Sequence, residues 1–362
     1  RVFKQLEGFG SYGFPESHAA SFALLVYVSS WIKCYYPDVF ACAILNSMPM
    51  GFYQPAQIII DATKHGVEVK PVDINHSFWD NTLEEKSGKY AILRLGFRQV
   101  KGLQQESMDL LIKARNKLYC SINELRDLTL PAASLEKLAD ADAFRSIGLD
   151  RRQALWEVST KDRPYSIFEG QPAADGRGES VSLPVMSTSE HVVHDYAATS
   201  LSLKAHPVSF IREKLDQLHI VSARELSTLK DGASLKVAGL VLVRQRPGTA
   251  GGICFMTIED ETGFANLVIF ESLFEKFRKE ILQSKLIMVE GKVQIEGEVI
   301  HVIAKRCYDF SKLLRHLTAT KNEDPKVLTL ARPDEISIPA HAQHFASKEK
   351  HEKIFPGARN FR

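Results

Sequence analysis

Cysteine is scarce and scattered. Cys34, Cys42, Cys120, Cys254 and Cys307 are the only five in 362 residues, and no two form a C-x-x-C pair. That argues against a disulfide framework or a thiolate zinc site and for reduced thiols in a cytoplasmic protein. Charge of one sign is lacking too: the formal net charge is +2, so any nucleic-acid site must be a local feature rather than a whole-surface field. Long clean apolar runs are absent. The longest, AASFALLVYVSSWI at 19–32, is broken by serines and short of the roughly 18 apolar residues a membrane span needs, which predicts a buried helix and no membrane partner. No basic-plus-apolar leader is present. The chain opens at Arg1-Val-Phe without methionine, which reads as a fragment of a longer protein.

What is present, 44% apolar and 25% charged residues, is ordinary for a globular protein of two or three domains. Residues 1–95 open with the glycine-punctuated GFGSYGFPESH, and a long helix is predicted from near Pro15 to before Pro37. Proline suits a first helical turn, and Glu16 complements the positive helix end. Apolar residues on nearly every face predict burial on several sides. A second helical stretch at 38–66 and an extended GVEVKPVDIN segment follow.

Residues 96–160 carry a weak repeat. VKGL at 100–103 and SIGL at 146–149 lie 46 positions apart, each ahead of a helical pattern. This predicts tandem helix-hairpin-helix units. Glycine permits the tight turn, the following helix start offers amides to a phosphate oxygen, and such contacts are blind to sequence. The candidates for duplex backbone are Lys101, Gly102, Gly148, Arg151 and Arg152. Residues 161–232 read as a linker, rich in Pro, Gly and Ser at first, with a helix-like HPVSFIREKLDQL at 206–218.

From 233 to 313 the period turns strand-like. Five short strands, with one helix between the third and fourth, give the order of an OB-fold barrel. Alternation places Met256, Ile258, Ala265 and Leu267 inward, and Phe255, Thr257, Phe264 and Asn266 outward. With Arg244 nearby, that face suits base stacking and phosphate contact on a single strand. The domain's 11 Lys/Arg against 10 Asp/Glu add no strong field. Residues 314–362 read as a polar tail with little core of its own. The predicted fold class is multidomain α+β: a helical segment, tandem helix-hairpin-helix and a five-stranded OB-fold β-barrel.

Three smaller signals remain. Tyr12, Ser17 and His18 surround a helix start suited to an anion, although a first-turn histidine is more often a surface residue. Asp140-Ala-Asp142 has the spacing of a paired-carboxylate magnesium site, but reads as helix-start residues with no third carboxylate. His191 and His194 read as a solvated pair with no further metal ligand in the neighbouring sequence.

YGFPESHAASFALLVYVSSWIKCYYP, GVEVKPVDIN with YAILRLGFRQVKGL, and KLADADAFRSIGLDRRQALWEV together resemble the fingers and helix-hairpin-helix passage of bacterial C-family DNA polymerases, relatives of the polymerase III alpha subunit. The resemblance covers about residues 1–313 and favours the error-prone branch. Pro15-Glu16 stands where the replicative branch has a polar-Lys pair, HVVHDYAATSLSLKAHP is similar to the error-prone linker, and Ser166-Ile167-Phe168 is at best a remnant of a clamp-binding peptide. The resemblance implies a C-terminal fragment of a translesion polymerase acting in DNA repair. Tyr12, Ser17 and His18 would lie near an incoming deoxynucleoside triphosphate. The hairpins would lie on the primer-template duplex, and the barrel on single-stranded template. Clamp access would run through accessory mutagenesis proteins. Catalysis would use Mg2+ on palm aspartates outside this chain, so the fragment alone is expected to be inactive. Two other readings stay open: a fragment of the replicative alpha subunit, and a stand-alone single-strand-DNA-binding adaptor.

Overall fold

The computed structural model describes residues 16–49, 54–128, 130–159, 183–248, 250–297, 299–317 and 359–361. The chain divides into two compact units, residues 1–134 with 145–147, and residues 135–144 with 148–362.

The first unit begins with helices α1 (Glu16–Tyr35), α2 (Pro37–Asn46) and α3 (Pro55–Lys64). Pro37 and Pro55 open the latter two, where a missing N–H costs nothing. A small sheet of order β1-β3-β2 follows, from β1 (Val69–Lys70), β2 (Thr82–Ser87) and β3 (Tyr90–Arg94). The sequence reading anticipates an extended segment at β1 but not the β2–β3 hairpin. Helices α4 (Gln105–Ala114) and α5 (Ile122–Arg126) complete the unit. Its core includes Leu45, Ile74, Leu93, Phe97, Met108, Leu111 and Leu125.

Two departures from expectation lie in this unit. Helix α1 is not buried. Leu24, Tyr27 and Trp31, at successive helical turns, are 67%, 69% and 45% exposed, and Leu25, Val26 and Val28 are exposed as well. The surface that would cover them is not supplied by the described residues. The second departure is polar. The segment Asp73–Asn81 is irregular yet tightly held: Asn75 Nδ2 donates to the Tyr119 carbonyl and to Ser146 Oγ, both at 3.0 Å, and Asn75 Oδ1 accepts from Tyr119 N at 2.8 Å. Asn81 Oδ1 accepts from Gly96 N at 3.0 Å. Buried polar groups satisfied in this way fix a chain path without regular structure.

Helix α6 (Ala132–Asp140) leads from the first unit into the second, which continues with α7 (Arg151–Ser159), α8 (Thr188–Thr199) and α9 (Arg212–Gln217). Its sheet contains β4 (Ser234–Gln245), β5 (Cys254–Glu259), β6 (Phe264–Ile269), β7 (Leu286–Glu296) and β8 (Val299–Asp309). Strand order β5-β6-β8-β7-β4, with β4 also pairing β5, closes a five-stranded barrel. The β6–β8 pairing is parallel and the other four are antiparallel. Two short helices, α10 (Glu271–Lys276) and α11 (Arg278–Gln283), stand where a single helix is expected. The barrel interior is apolar, built from Val237, Met256, Ile258, Leu267, Ile287, Val289 and Val302 among others.

The stretch read as linker is, from residue 183 on, part of this unit. Val192, Val193 and Tyr196 of α8, with Val208, Ile211, Leu215 and Ile220, pack on the outer barrel residues Ala238, Leu240, Leu286 and Met288. The tail contributes β9 (Arg359–Phe361), a strand parallel to Val243–Gln245 of β4. Among the described residues no helix is long and apolar enough to cross a membrane.

Candidate nucleic-acid interface

The hairpin glycines hold left-handed backbone, with φ +73° at Gly102 and +82° at Gly148. Nothing lies within 4 Å of a Cβ built at Gly148, so the turn itself, not crowding, calls for glycine there. Beside Gly102, Lys101 is exposed, and partial desolvation lowers its pKa from the ordinary lysine value. Helix α4, which follows, has no side-chain cap at Gln104. The second hairpin differs. Asp150 Oδ1 accepts from Gln153 N at 2.8 Å while Gln153 Oε1 accepts from Asp150 N at 3.2 Å, so α7 carries its own acidic cap.

Arg151 corrects the sequence reading. It is fully buried, ion-paired with Asp195, and donates to the His191 carbonyl at 2.9 Å. Lys204 joins the same cluster, 3.0 Å from Asp195 and 3.2 Å from Asp142. Arg151 is thus a strut between α7 and α8, withdrawn from any phosphate. Arg152 is largely committed as well, donating to the Pro184 carbonyl at 2.6 Å and lying 3.5 Å from Glu190. The cluster also revises two lesser readings. Asp140 ends α6 rather than starting a helix, and Asp142 occupies a left-handed turn at φ +61° against Lys204. His191 is buried rather than solvated, and burial pushes His194 down to about 4, with the Arg151 charge acting in the same direction.

The barrel face follows the predicted alternation. Met256, Ile258, Ala265 and Leu267 are buried, Phe255 and Thr257 half-exposed, and Phe264 and Asn266 exposed. Thr257 pairs with Asn266 across β5–β6, Oγ1 donating to Oδ1 at 3.0 Å. Phe255 pairs with Val268, four residues along β6 from Phe264, which puts the two rings' strand positions about 14 Å apart. The parallel β8 extends this face, His301 standing beside Asn266 and Ile303 beside Val268. Sequence reasoning missed His301 because only the β6–β8 register brings it there.

Arg244 is the second correction. It is 5% exposed, with Nε donating to the Ile281 carbonyl at 2.5 Å and Nη2 to the Ser284 carbonyl. The guanidinium ties β4 to the end of α11. Desolvation lowers its pKa from the ordinary arginine value, and it does not reach the Phe255–Phe264 face.

Of the triphosphate candidates, Tyr12 lies outside the described residues, and Ser17 and His18 fall in the first turn of α1. The clamp-peptide remnant at 166–168 also lies outside them.

Residues 66–154 match the helix-hairpin-helix motif family, and residues 235–309 match the OB-fold nucleic acid binding domain family. The chain is 49% identical over 340 residues to the error-prone DNA polymerase of Sinorhizobium medicae, covering 87% of this chain and 30% of that protein. It is 50% identical over 339 residues to error-prone DNA polymerase 1 of Rhizobium meliloti, with the same coverage. For the error-prone DNA polymerase of Brucella abortus the figures are 49% over 318 residues, 86% and 29%. The chain therefore spans about three-tenths of the length of these curated relatives. Near half identity across most of the chain, with hairpins and barrel in the expected order, makes it similar to the corresponding three-tenths of these error-prone DNA polymerases.

Proposed function

We propose that the chain is the DNA-positioning part of an error-prone, DNA-directed DNA polymerase, a nucleotidyltransferase of translesion synthesis and DNA repair. In this reading it is a C-terminal portion. The hairpin turns at Lys101–Gly102 and Gly148 hold the primer-template duplex. The barrel face of Phe255, Thr257, Phe264 and Asn266 holds single-stranded template. The observation that carries the reading is that face: two outward phenylalanines flanking a Thr–Asn pair on a closed barrel, in a chain with two left-handed hairpin glycines upstream.

Bond formation belongs elsewhere in the intact protein. Such enzymes use Mg2+ to activate the 3′ hydroxyl and stabilise the leaving pyrophosphate. Asp140 and Asp142 do not fit that task, because the Asp142 carboxylate is buried and faces Lys204 at 3.2 Å. Tyr12, Ser17 and His18 remain our candidates for the incoming deoxynucleoside triphosphate, the latter two in the first turn of a 20-residue helix. Access to the sliding clamp runs, in this reading, through accessory mutagenesis proteins. Five unpaired cysteines suit the cytoplasm.

The test uses the 362-residue chain and a primer-template with a single-stranded overhang. Fluorescence anisotropy should show binding, and primer extension with Mg2+ and all four deoxynucleotides should show no incorporation. A Phe255→Ala/Phe264→Ala variant should bind the overhang more weakly by about 1–3 kcal/mol per lost stack. Equal affinity in that variant would remove the barrel from the reading, and incorporation by the wild-type chain would place catalysis in it.

A further inference from the structure

The loss of Arg244 leaves the aromatic face without the cation the sequence reading gave it, and the fold supplies another. The β5–β6 turn is organised by Asp260. Its Oδ1 accepts from Thr262 N and Oγ1, each at 2.7 Å, and from Gly263 N at 3.0 Å. Its Oδ2 accepts from Ala223 N at 2.7 Å, and Thr262 Oγ1 accepts from Arg224 N at 3.0 Å. The 3-10 turn Arg224–Thr228, which precedes the barrel in sequence, is thereby clamped onto the tip of the hairpin whose second strand begins at Phe264.

Between them lies a cleft of about 250 Å³ lined by Arg224, Leu226, Ser227, Thr262, Phe264 and Ile300. It falls below the range of roughly 300–1,000 Å³ that takes drug-sized molecules and suits a single ring system. Its chemistry is mixed in a useful way. Leu226 and the exposed Phe264 are apolar, Ser227 and Thr262 carry hydroxyls, and Arg224 is an exposed cation. The acids around Arg224 are already engaged. Asp260 and Glu261 pair with Arg212 at 3.2 and 2.5 Å, and Glu225 accepts from Ser222 N at 2.7 Å and Oγ at 2.9 Å. Among the described residues no ion pair engages Arg224.

We propose that this cleft is a terminal subsite of the barrel's single-strand path. It takes one nucleotide, with the base against the Phe264 ring and the phosphate at the Arg224 guanidinium. The ligand class is a single-stranded oligonucleotide, and the inference rests on the single-strand reading of the barrel. The strand would run from this cleft over Thr257 and Asn266 toward Phe255. Arg224 lies outside the strands that define the barrel, so strand alternation does not point to it.

The experiment measures binding of a fluorescent oligo-dT to the 362-residue chain by anisotropy across a salt series. Arg224→Gln should weaken binding about 3- to 10-fold at low salt. It should also reduce the slope of log K against log salt by about 0.7, the value for one phosphate contact on a single strand. Thermal unfolding should be unchanged. Lys279→Gln, which removes an exposed cation from α11, should leave the slope where it is. Unchanged affinity and slope in Arg224→Gln, while Phe255→Ala/Phe264→Ala weakens binding, would overturn the subsite and spare the barrel reading. Equal losses in Arg224→Gln and Lys279→Gln would overturn it as a net-charge effect. Absence of oligo-dT binding by the wild-type chain would overturn both.

Discussion

Arg151 shows how one buried side chain redirects an interface. Its guanidinium meets Asp195 on α8, Asp195 meets Lys204 and accepts from Ser202 Oγ at 2.7 Å, and Lys204 returns to Asp142 in the turn before the second hairpin. A buried pair of this sort is weak evidence for net stability, but removing one partner strands the other charge in a poorly solvated site. Asp195→Asn should therefore destabilise the second unit by about 3–5 kcal/mol in urea unfolding. Lys204→Met removes a cation that is 33% exposed but faces two buried carboxylates, and should cost less, about 1–3 kcal/mol, because Asp195 keeps Arg151. Comparable losses for the two substitutions would mean that the cluster does not depend on the Arg151–Asp195 pair.

At the scale of elements, the hairpins and the strands set which residues reach the surface in the proposed DNA-binding regions. Gly148 sits at φ +82° with open space where a Cβ would go, so Gly148→Ala isolates the backbone cost, about 1–2 kcal/mol for a left-handed residue. Gly148→Asn should lose less, because asparagine tolerates that region. Urea unfolding measures the stability, and duplex affinity should fall in the same order if the turn presents the backbone amides. These glycines were legible in the sequence because a tight turn leaves a local mark, as were the five strands and the inward–outward alternation of β5 and β6. The β2–β3 hairpin was not. Thr82-Leu-Glu-Glu-Lys-Ser is a charged strand with four of its six residues exposed, so apolar alternation never appears. The burial of Arg151 and Arg244 was hidden for another reason. Their partners lie about 40 residues away, at Asp195, and at Ile281 and Ser284, and no local pattern announces a contact at that separation. Helix α1 failed in the opposite sense: its apolar faces are real, but composition does not reveal whether a covering surface is present.

On the scale of the whole molecule, the segment from 183 to 232 joins the second hairpin and the barrel into one body within the second unit. Arg151 fastens α7 to α8 on one side, and Val192, Val193 and Tyr196 of α8 pack with the barrel's outer residues on the other. This joint contains two histidines that burial pushes down to about 4, His194 and His206. Both are held neutral in the folded state, and the His206 ring Nδ1 accepts from Val208 N at 3.2 Å. Their ordinary value of about 6.5 applies once the chain unfolds. The unfolded chain therefore takes up protons first as pH falls. The stabilisation these groups contribute is complete above about pH 6.5 and is lost progressively down to about pH 4, by up to about 3 kcal/mol for each histidine. The melting temperature of the second unit should accordingly drop between pH 7.5 and 4.5, without a matching change between pH 7.5 and 8.5. His206→Asn keeps an acceptor for the Val208 amide and cannot be protonated in this range. It should make the acid limb shallower while leaving stability at pH 7.5 close to that of the wild type. A limb as steep in His206→Asn as in the parent chain would show that the acid sensitivity of the joint arises elsewhere.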